Sequence, residues 1–376
     1  MANRSIEKLR NEIFALFDEE QNQFEQILCR GEQIAQESLR VAEVAHNAAN
    51  ILDDIDREFE AKTQLNADDE RFLWLAVALQ VARQYLMPSD AFRMTAAEND
   101  KFIKKFIPKR YEEILTAPVP YDAIKRQDQG SDSTGLSGNT HRYRTLGHDP
   151  ILGWIFGTLN IITSTLTRHD LVSYQVKDMK IGGDIALERV INDGIRQISQ
   201  DDKLLKVAVM RQAIHFGSDY FTKQGLPVPF ISSIDNDIAK EFISRQHIDM
   251  FSITRSYTAA VLINMIIEAI HGLFYNEGIY KSRKLFEVKT RKIIMYSNTI
   301  ATCSNIISTA VSFAIGDKRA FRKLDIGGFI CTLQRIVNDI KFIGEVKREF
   351  LANEFAKEIW GKDYDLTHDK DGKLIY

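Results

Sequence analysis

The chain has 376 residues, 44% of them hydrophobic and 27% charged, a composition that excludes disorder over its whole length and leaves room for two packed domains or one elongated one. Cys29, Cys303 and Cys331 lie far apart without metal spacing, which excludes a disulfide framework and a cysteine-based metal site. The net charge of −3 conceals an asymmetry: residues 1–70 carry 17 acidic side chains against 7 basic ones, whereas in 281–323 Lys281, Arg283, Lys284, Lys289, Arg291, Lys292, Lys318, Arg319, Arg322 and Lys323 face only Glu287 and Asp317. A basic block of this kind favours phosphates, on nucleic acid or on lipid headgroups, and the acidic arm can shield it; solvated helix surface is the plainer alternative.

Taken in chain order, the first residues, "MANRSIEKLRNEIF", lack the basic start, apolar run and small-residue cleavage site of a secretory signal, so the cytosol is the expected compartment. From Val41 to Phe59 the apolar positions Val41, Val44, Ala48, Ile51, Ile55 and Phe59 step by three or four, the stripe of a long amphipathic helix. Upstream, Phe24, Ile27, Leu28 and Ile34 continue it past Gly31, as in a bundle arm or intermolecular coil. After a capping signal at Asn66 or Asp68 comes the apolar helix "RFLWLAVALQVARQYL", ended by Pro88. Residues 116–145 begin with a Pro-, Gly-, Ser- and Asp-rich run and are expected to be a linker or mobile loop.

The stretch "HRYRTLGHDPILGWIFGTLNIITSTLTRHD" at 141–170 raises several possibilities. Proline suits the first position of a helix, so Asp149 before Pro150 reads as an N-cap. That role argues against the His148-Asp149 doublet as the heart of a metal phosphohydrolase, which remains the enzymatic alternative for the region 141–149. His141, Arg142, Tyr143 and Arg144 can meet a phosphate or base near the helix start. Along the uncharged run from Pro150 to Thr167, Ile151, Ile155, Leu159, Ile162 and Leu166 form an apolar stripe, and Gly153, Gly157, Asn160 and Ser164 a small or polar one that permits close helix approach.

A second uncharged run, 297–316, has 20 residues between basic clusters, about the length that crosses a hydrocarbon layer. Ser297, Asn298, Ser304, Asn305, Ser308 and Ser312 lower its hydropathy; they suit neighbouring helices or a water-filled lumen, while Ile300, Ile306, Ile307, Val311 and Phe313 suit lipid or protein. "SYTAAVLINMII" at 256–267 is a shorter run of the same kind.

Enzyme signatures are scarce. Glu43…His46 and Glu268…His271 have the helical spacing of di-iron ligands, and His215 and Asp219 are one turn apart, but each is an isolated pair. No P-loop, Rossmann glycine pattern, His-Glu-x-x-His or nucleophile elbow occurs, and the glycine pairs in "KIGGDIA" and "LDIGGFI" read as turns or close-packing points. No catalytic residue, metal or cofactor is therefore assigned.

The segments "LDDIDREFEAKTQLNADDERFLWLAVALQVARQYL" (52–86), "TLGHDPILGWIFGT" (145–158) and "KTRKIIMYSNTIATCSNIIS" (289–308) resemble those of uncharacterised bacterial helical proteins. The general plan is similar to that of the membrane-disrupting effectors paired with a nucleotidyltransferase in anti-phage systems of the Hailong type. The resemblance implies a homo-oligomer restrained by single-stranded DNA or a nucleotide, acting on the inner membrane when released, with the nucleotidyltransferase as a partner in the same system.

The expected fold is all-α: an elongated helical bundle with long N-terminal amphipathic helices (1–115), the linker (116–145), a C-terminal domain of hydrophobic helices (146–350) and a polar tail (351–376). Arg142, Tyr143, Arg144, Lys281, Arg283, Lys284, Lys289, Arg291 and Lys292 are the candidate nucleic-acid contacts, and Ile300, Ile306, Ile307, Val311 and Phe313 the candidate membrane-active positions. A helical scaffold is the remaining alternative.

Overall fold

The computed structural model describes residues 2–86, 92–123, 135–137, 140–280 and 282–360, with backbone alone at 2–6, 8–18 and 20. Helices dominate it: α1 (Ala2–His46), α2 (Ala48–Thr63), α3 (Ala67–Leu86), α4 (Ala96–Lys104), α5 (Lys109–Leu115), α6 (His141–Arg144), α7 (Gly153–Thr163), α8 (Leu187–Gln200), α9 (Asp202–Tyr220), α10 (Ile231–Ile234), α11 (Asn236–Lys240), α12 (Met250–Gly272), α13 (Arg283–Ala314) and α14 (Ile326–Trp360). The fold is mostly all-α, as the helical periodicity requires.

The chain divides into two compact units: residues 1–66, 275–289 and 339–376, and residues 67–274 and 290–338. This differs from boundaries at 115, 145 and 350, because α3 to α5 belong with the second unit and the two long helices α13 and α14 each supply residues to both.

In the first unit, α1 runs through Gly31 without a break, and Phe24, Ile27, Leu28, Ile34 and Leu39 stay exposed along it. The stripe of α2 turns Phe59 into a core with Val288, Val346, Phe342 and Phe350. Lys347 reaches Asp56 at 2.6 Å, and the Arg40 guanidinium donates to the backbone carbonyls of Glu358 and Ile359 at the C-terminal end of α14, where carbonyls lack helical partners and favour a cation.

The second unit holds a feature that the sequence did not suggest: an antiparallel sheet of β1 (Thr165–Thr167), β2 (Ser173–Lys177) and β3 (Lys180–Ile185), in that order. The "KIGGDI" glycines are therefore strand residues. Asp178 and Met179 close the β2–β3 hairpin with φ of 51° and 56°, the left-handed pair that a two-residue loop needs to match strand twist. Tyr174 and Val176 point into a core with Leu166, Ile161, Val119, Tyr121 and Leu136.

That core takes in both described ends of the stretch expected to be a linker at 116–145. Val119, Tyr121, Ala123, Leu136 and Tyr143 are buried, and the Arg211 guanidinium donates to the carbonyls of Ala117 and Pro118. Residues 124–134 and 138–139 of that stretch lie outside the described residues, as does the tail from 361.

Helix α7 packs through its small face, the one expected to permit close helix approach. Gly153, Gly157, Thr158 and Asn160 are buried, while Ile151 and Ile155 of the apolar stripe are exposed. A Cβ at Gly157 would lie 2.4 Å from the Gln212 side-chain oxygen, so the small face is what lets α7 reach α9. Gly327 serves α14 in the same way: a Cβ there would lie 2.1 Å from the Ile253 carbonyl of α12.

Candidate functional site

Two regions of the second unit depart from ordinary core chemistry. In the first, α3, α12, α13 and α14 enclose a set of polar side chains beside the buried Ile267, Ile293 and Ile294, and carry many apolar ones outside. Gln80 Nε2 donates to Asn264 Oδ1 at 2.7 Å, and Asn298 Nδ2 donates to the same oxygen at 2.6 Å. Asn264 Nδ2 approaches Cys331 Sγ at 3.4 Å, and the Thr302 and Thr332 hydroxyls lie 2.7 Å apart. Arg83, buried beside Gln80, pairs with the buried Asp325 and donates to the Ser256 carbonyl. His271 is buried between Thr290 and Asp69, which explains that histidine without a di-metal site; Glu43 and His46 are exposed.

The outward faces of the same helices carry Trp74 and Leu75 on α3, Leu262, Met265 and Ile266 on α12, Ile300, Ile306, Ile307, Val311 and Phe313 on α13, and Phe329, Leu333 and Val337 on α14, all exposed. Met265 at 60%, Ile307 at 62% and Val337 at 67% are as open as surface lysines. In α13 the side chains divide as the sequence expects, with Ser297, Asn298 and Asn305 buried and the five apolar candidates outside, although Ser304 is exposed. By length and hydropathy, Met250–Gly272 is the one helix among the described residues that qualifies as a span, and 22% of its most apolar window is buried.

The candidate phosphate contacts divide less favourably. Arg142 is held by Asp219 at 2.6 Å and by the Thr222 hydroxyl at 2.7 Å, Tyr143 is buried, and Arg144 donates to the Gly135 carbonyl, so these three are structural and leave the nucleic-acid set. Lys289 is buried, with its ammonium 5.3 Å from the Tyr280 ring centre. Arg283 and Lys284 are exposed, Arg291 and Lys292 half-buried, and Lys281 lies outside the described residues. Beyond α13, Lys318, Arg319 and Lys323 are exposed.

The second region is a cluster of histidines and aspartates. The turn at Pro120–Asp122 supplies Asp122, the turn before α7 supplies His148, and one face of α9 supplies His215 and Asp219. His148 Nε2 lies 3.0 Å from Asp122 Oδ1, 3.5 Å from Asp219 Oδ2 and 3.3 Å from His215 Nε2. His215 Nε2 lies 3.2 Å from Asp219 Oδ2 and 3.5 Å from Asp122 Oδ1. His141 stands at the rim, its Nε2 3.8 Å from Asp122 Oδ1.

Buried Tyr121 sets its ring edge-on against both inner imidazoles and donates to Gln212 Oε1, whose amide nitrogen in turn donates to the Gly147 carbonyl. Burial pushes the Tyr121 phenol well above its ordinary value, with Asp122 adding to the effect. Burial also pushes His148 down to about 4, against the pull of Asp122. It opposes charge on His215 too, but the Asp219 and Asp122 carboxylates lift that histidine to about 9. Both carboxyls sit below their usual range: burial opposes this, and His215 outweighs it.

Asp149 takes no part. Its Oδ1 accepts from the Ile151 and Leu152 amides at 2.9 and 2.8 Å, the N-cap geometry that its sequence position implies, and Oδ2 accepts from the Phe230 amide at 2.6 Å. The His148-Asp149 doublet is thus split: the histidine joins Asp122, His215 and Asp219, and the aspartate caps. Sequence reasoning noted the His215–Asp219 pair through its one-turn spacing but had no signal linking it to Asp122 or His148. Set against family models, curated proteins and solved structures, the chain matches none of them.

Proposed function

We propose that this protein is an oligomeric membrane effector that opens a bilayer through the bundle of α3, α12, α13 and α14. The observation that carries the proposal is the pairing, in that bundle, of buried amides, hydroxyls and an ion pair with a broad exposed face of isoleucine, leucine, valine and phenylalanine. In water, exposed apolar area on this scale is unfavourable by about 25 cal/mol per Å². In hydrocarbon the preference reverses, because polar groups must then find partners within the protein. Exposed Lys318, Arg319 and Lys323 follow the apolar stretch of α13, where they suit anionic headgroups.

The likeness in plan to Hailong-type effectors supports an anti-phage role and restraint by single-stranded DNA or a nucleotide. In the second unit the exposed cations Lys318, Arg319 and Lys323 suit such a ligand, whereas Lys284 of the first unit is paired with Glu349 at 2.6 Å. Dye leakage from anionic vesicles tests the proposal. The protein releases dye, added oligonucleotide suppresses release, and Ile307→Lys with Val311→Lys abolishes it while leaving helicity intact, because a lysine at mid-bilayer costs about 2.5–3.5 kcal/mol. Absence of leakage with and without nuclease treatment, or undiminished leakage by the double variant, refutes it.

A further inference from the structure

We infer that Asp122, His148 and His215 hold a transition-metal dication, with zinc the best match. The inference is independent of the membrane function and rests on the arrangement of the three ligand atoms, which all lie within 4.8 Å of one another.

A tetrahedral ion bound at about 2.0–2.1 Å by nitrogen and oxygen holds its ligands about 3.3 Å from one another. The three edges joining Asp122 Oδ1, His148 Nε2 and His215 Nε2 are 3.0, 3.3 and 3.5 Å. Three donor atoms have gathered to the spacing that a common centre would impose.

The Thr145 hydroxyl lies 2.9 Å from the His141 carbonyl and 2.7 Å from His148 Nδ1; when its single proton goes to the carbonyl, His148 carries its own proton on Nδ1 and turns a bare Nε2 toward Asp122 and His215. His141 repeats the pattern: its Nδ1 donates to the Ser137 carbonyl at 3.1 Å, which turns an unprotonated Nε2 toward Asp122. Fixing the far nitrogen of a ligating histidine in this way is the usual outer-shell device of metal sites.

Asp219 backs the site from the other side: its Oδ1 is engaged by Arg142 at 2.6 Å, and its Oδ2 lies 3.2 Å from His215 Nε2 and 3.5 Å from His148 Nε2. Two carboxylates balance the charge of the dication. Two imidazoles select against magnesium and calcium, which prefer oxygen throughout.

Three protein ligands fasten the Pro120–Asp122 turn and the turn before α7 to α9 and leave a fourth position of the tetrahedron to water. His141 stands outside this shell as a spare donor.

The test is metal analysis of the purified protein, followed by chelator stripping and titration with Zn2+ or Co2+. The expected results are about one zinc per chain, a rise in Tm when Zn2+ returns to stripped protein, and the intense visible bands of tetrahedral Co2+. His215→Ala abolishes both responses. Asp122→Asn, at the more open edge of the site, gives the same reading if His215→Ala fails to fold. Thr145→Val, which removes only the outer-shell acceptor, weakens Zn2+ affinity about 10- to 100-fold. Stripped wild-type protein that gains neither Tm from Zn2+ nor tetrahedral Co2+ bands, or variants that respond as wild type does, would overturn the assignment.

Discussion

Asp149 serves three backbone amides with one carboxylate, and replacing it separates its role from that of the histidine beside it. Asp149→Ala strands the amides of Ile151, Leu152 and Phe230. Hydrogen bonds to a charged acceptor are worth about 1.5–3 kcal/mol, so a loss on that order is expected in denaturant titration. Metal content should stay unchanged, whereas a His148 variant should lower it. The cap was legible because Asp-Pro is a local signal with a local cause. Asp122 and His148 carry no such signal: 26 residues separate them, and the turn that presents Asp122 lies in a stretch whose proline and glycine content resembles a linker. Only the pair on α9 had a spacing that sequence could reveal, and half a site is indistinguishable from a surface hydrogen bond.

Helix α7 was legible in both its stripes: the small face with Gly153, Gly157 and Asn160 is the one that lets α9 come close, while Ile151 and Ile155 of the apolar stripe stay exposed. Gly157→Val would drive a branched side chain into Gln212, which is fully buried and joins Tyr121 to the Gly147 carbonyl. Overpacking of this kind costs about 1–3 kcal/mol, expected as a lowered Tm; an unchanged Tm would mean that the helices separate without cost. The β2–β3 hairpin gave no such signal. Paired glycines weaken the alternation that marks a strand, and the loop signal came from Asp178 and Met179, of which methionine is not a residue that announces a left-handed turn. Helix α13 is legible in part: Ser297, Asn298 and Asn305 are buried away from the exposed Ile300, Ile307 and Val311, but Ser304 shares that exposed face.

The fold class was readable across the chain because helical periodicity is a repeated signal, while the division into two units was not, because it depends on which distant segments pack together. Residues 275–289 join the first 66 residues and the end of the chain in one unit, an association that no local pattern carries. The interior of the second unit likewise follows from a few long-range polar contacts, of which Asn264 is the junction. Its single carbonyl oxygen serves amides from two other helices, so the three side chains are one object rather than three choices. Leucine at 264 alone would leave Gln80 and Asn298 without their shared acceptor, whereas apolar residues at all three positions would leave nothing stranded. Across homologous chains, then, positions 80, 264 and 298 should drift as a linked trio, polar together or greasy together. A lineage that mixed the two states freely would show that this junction has no hold on its own evolution.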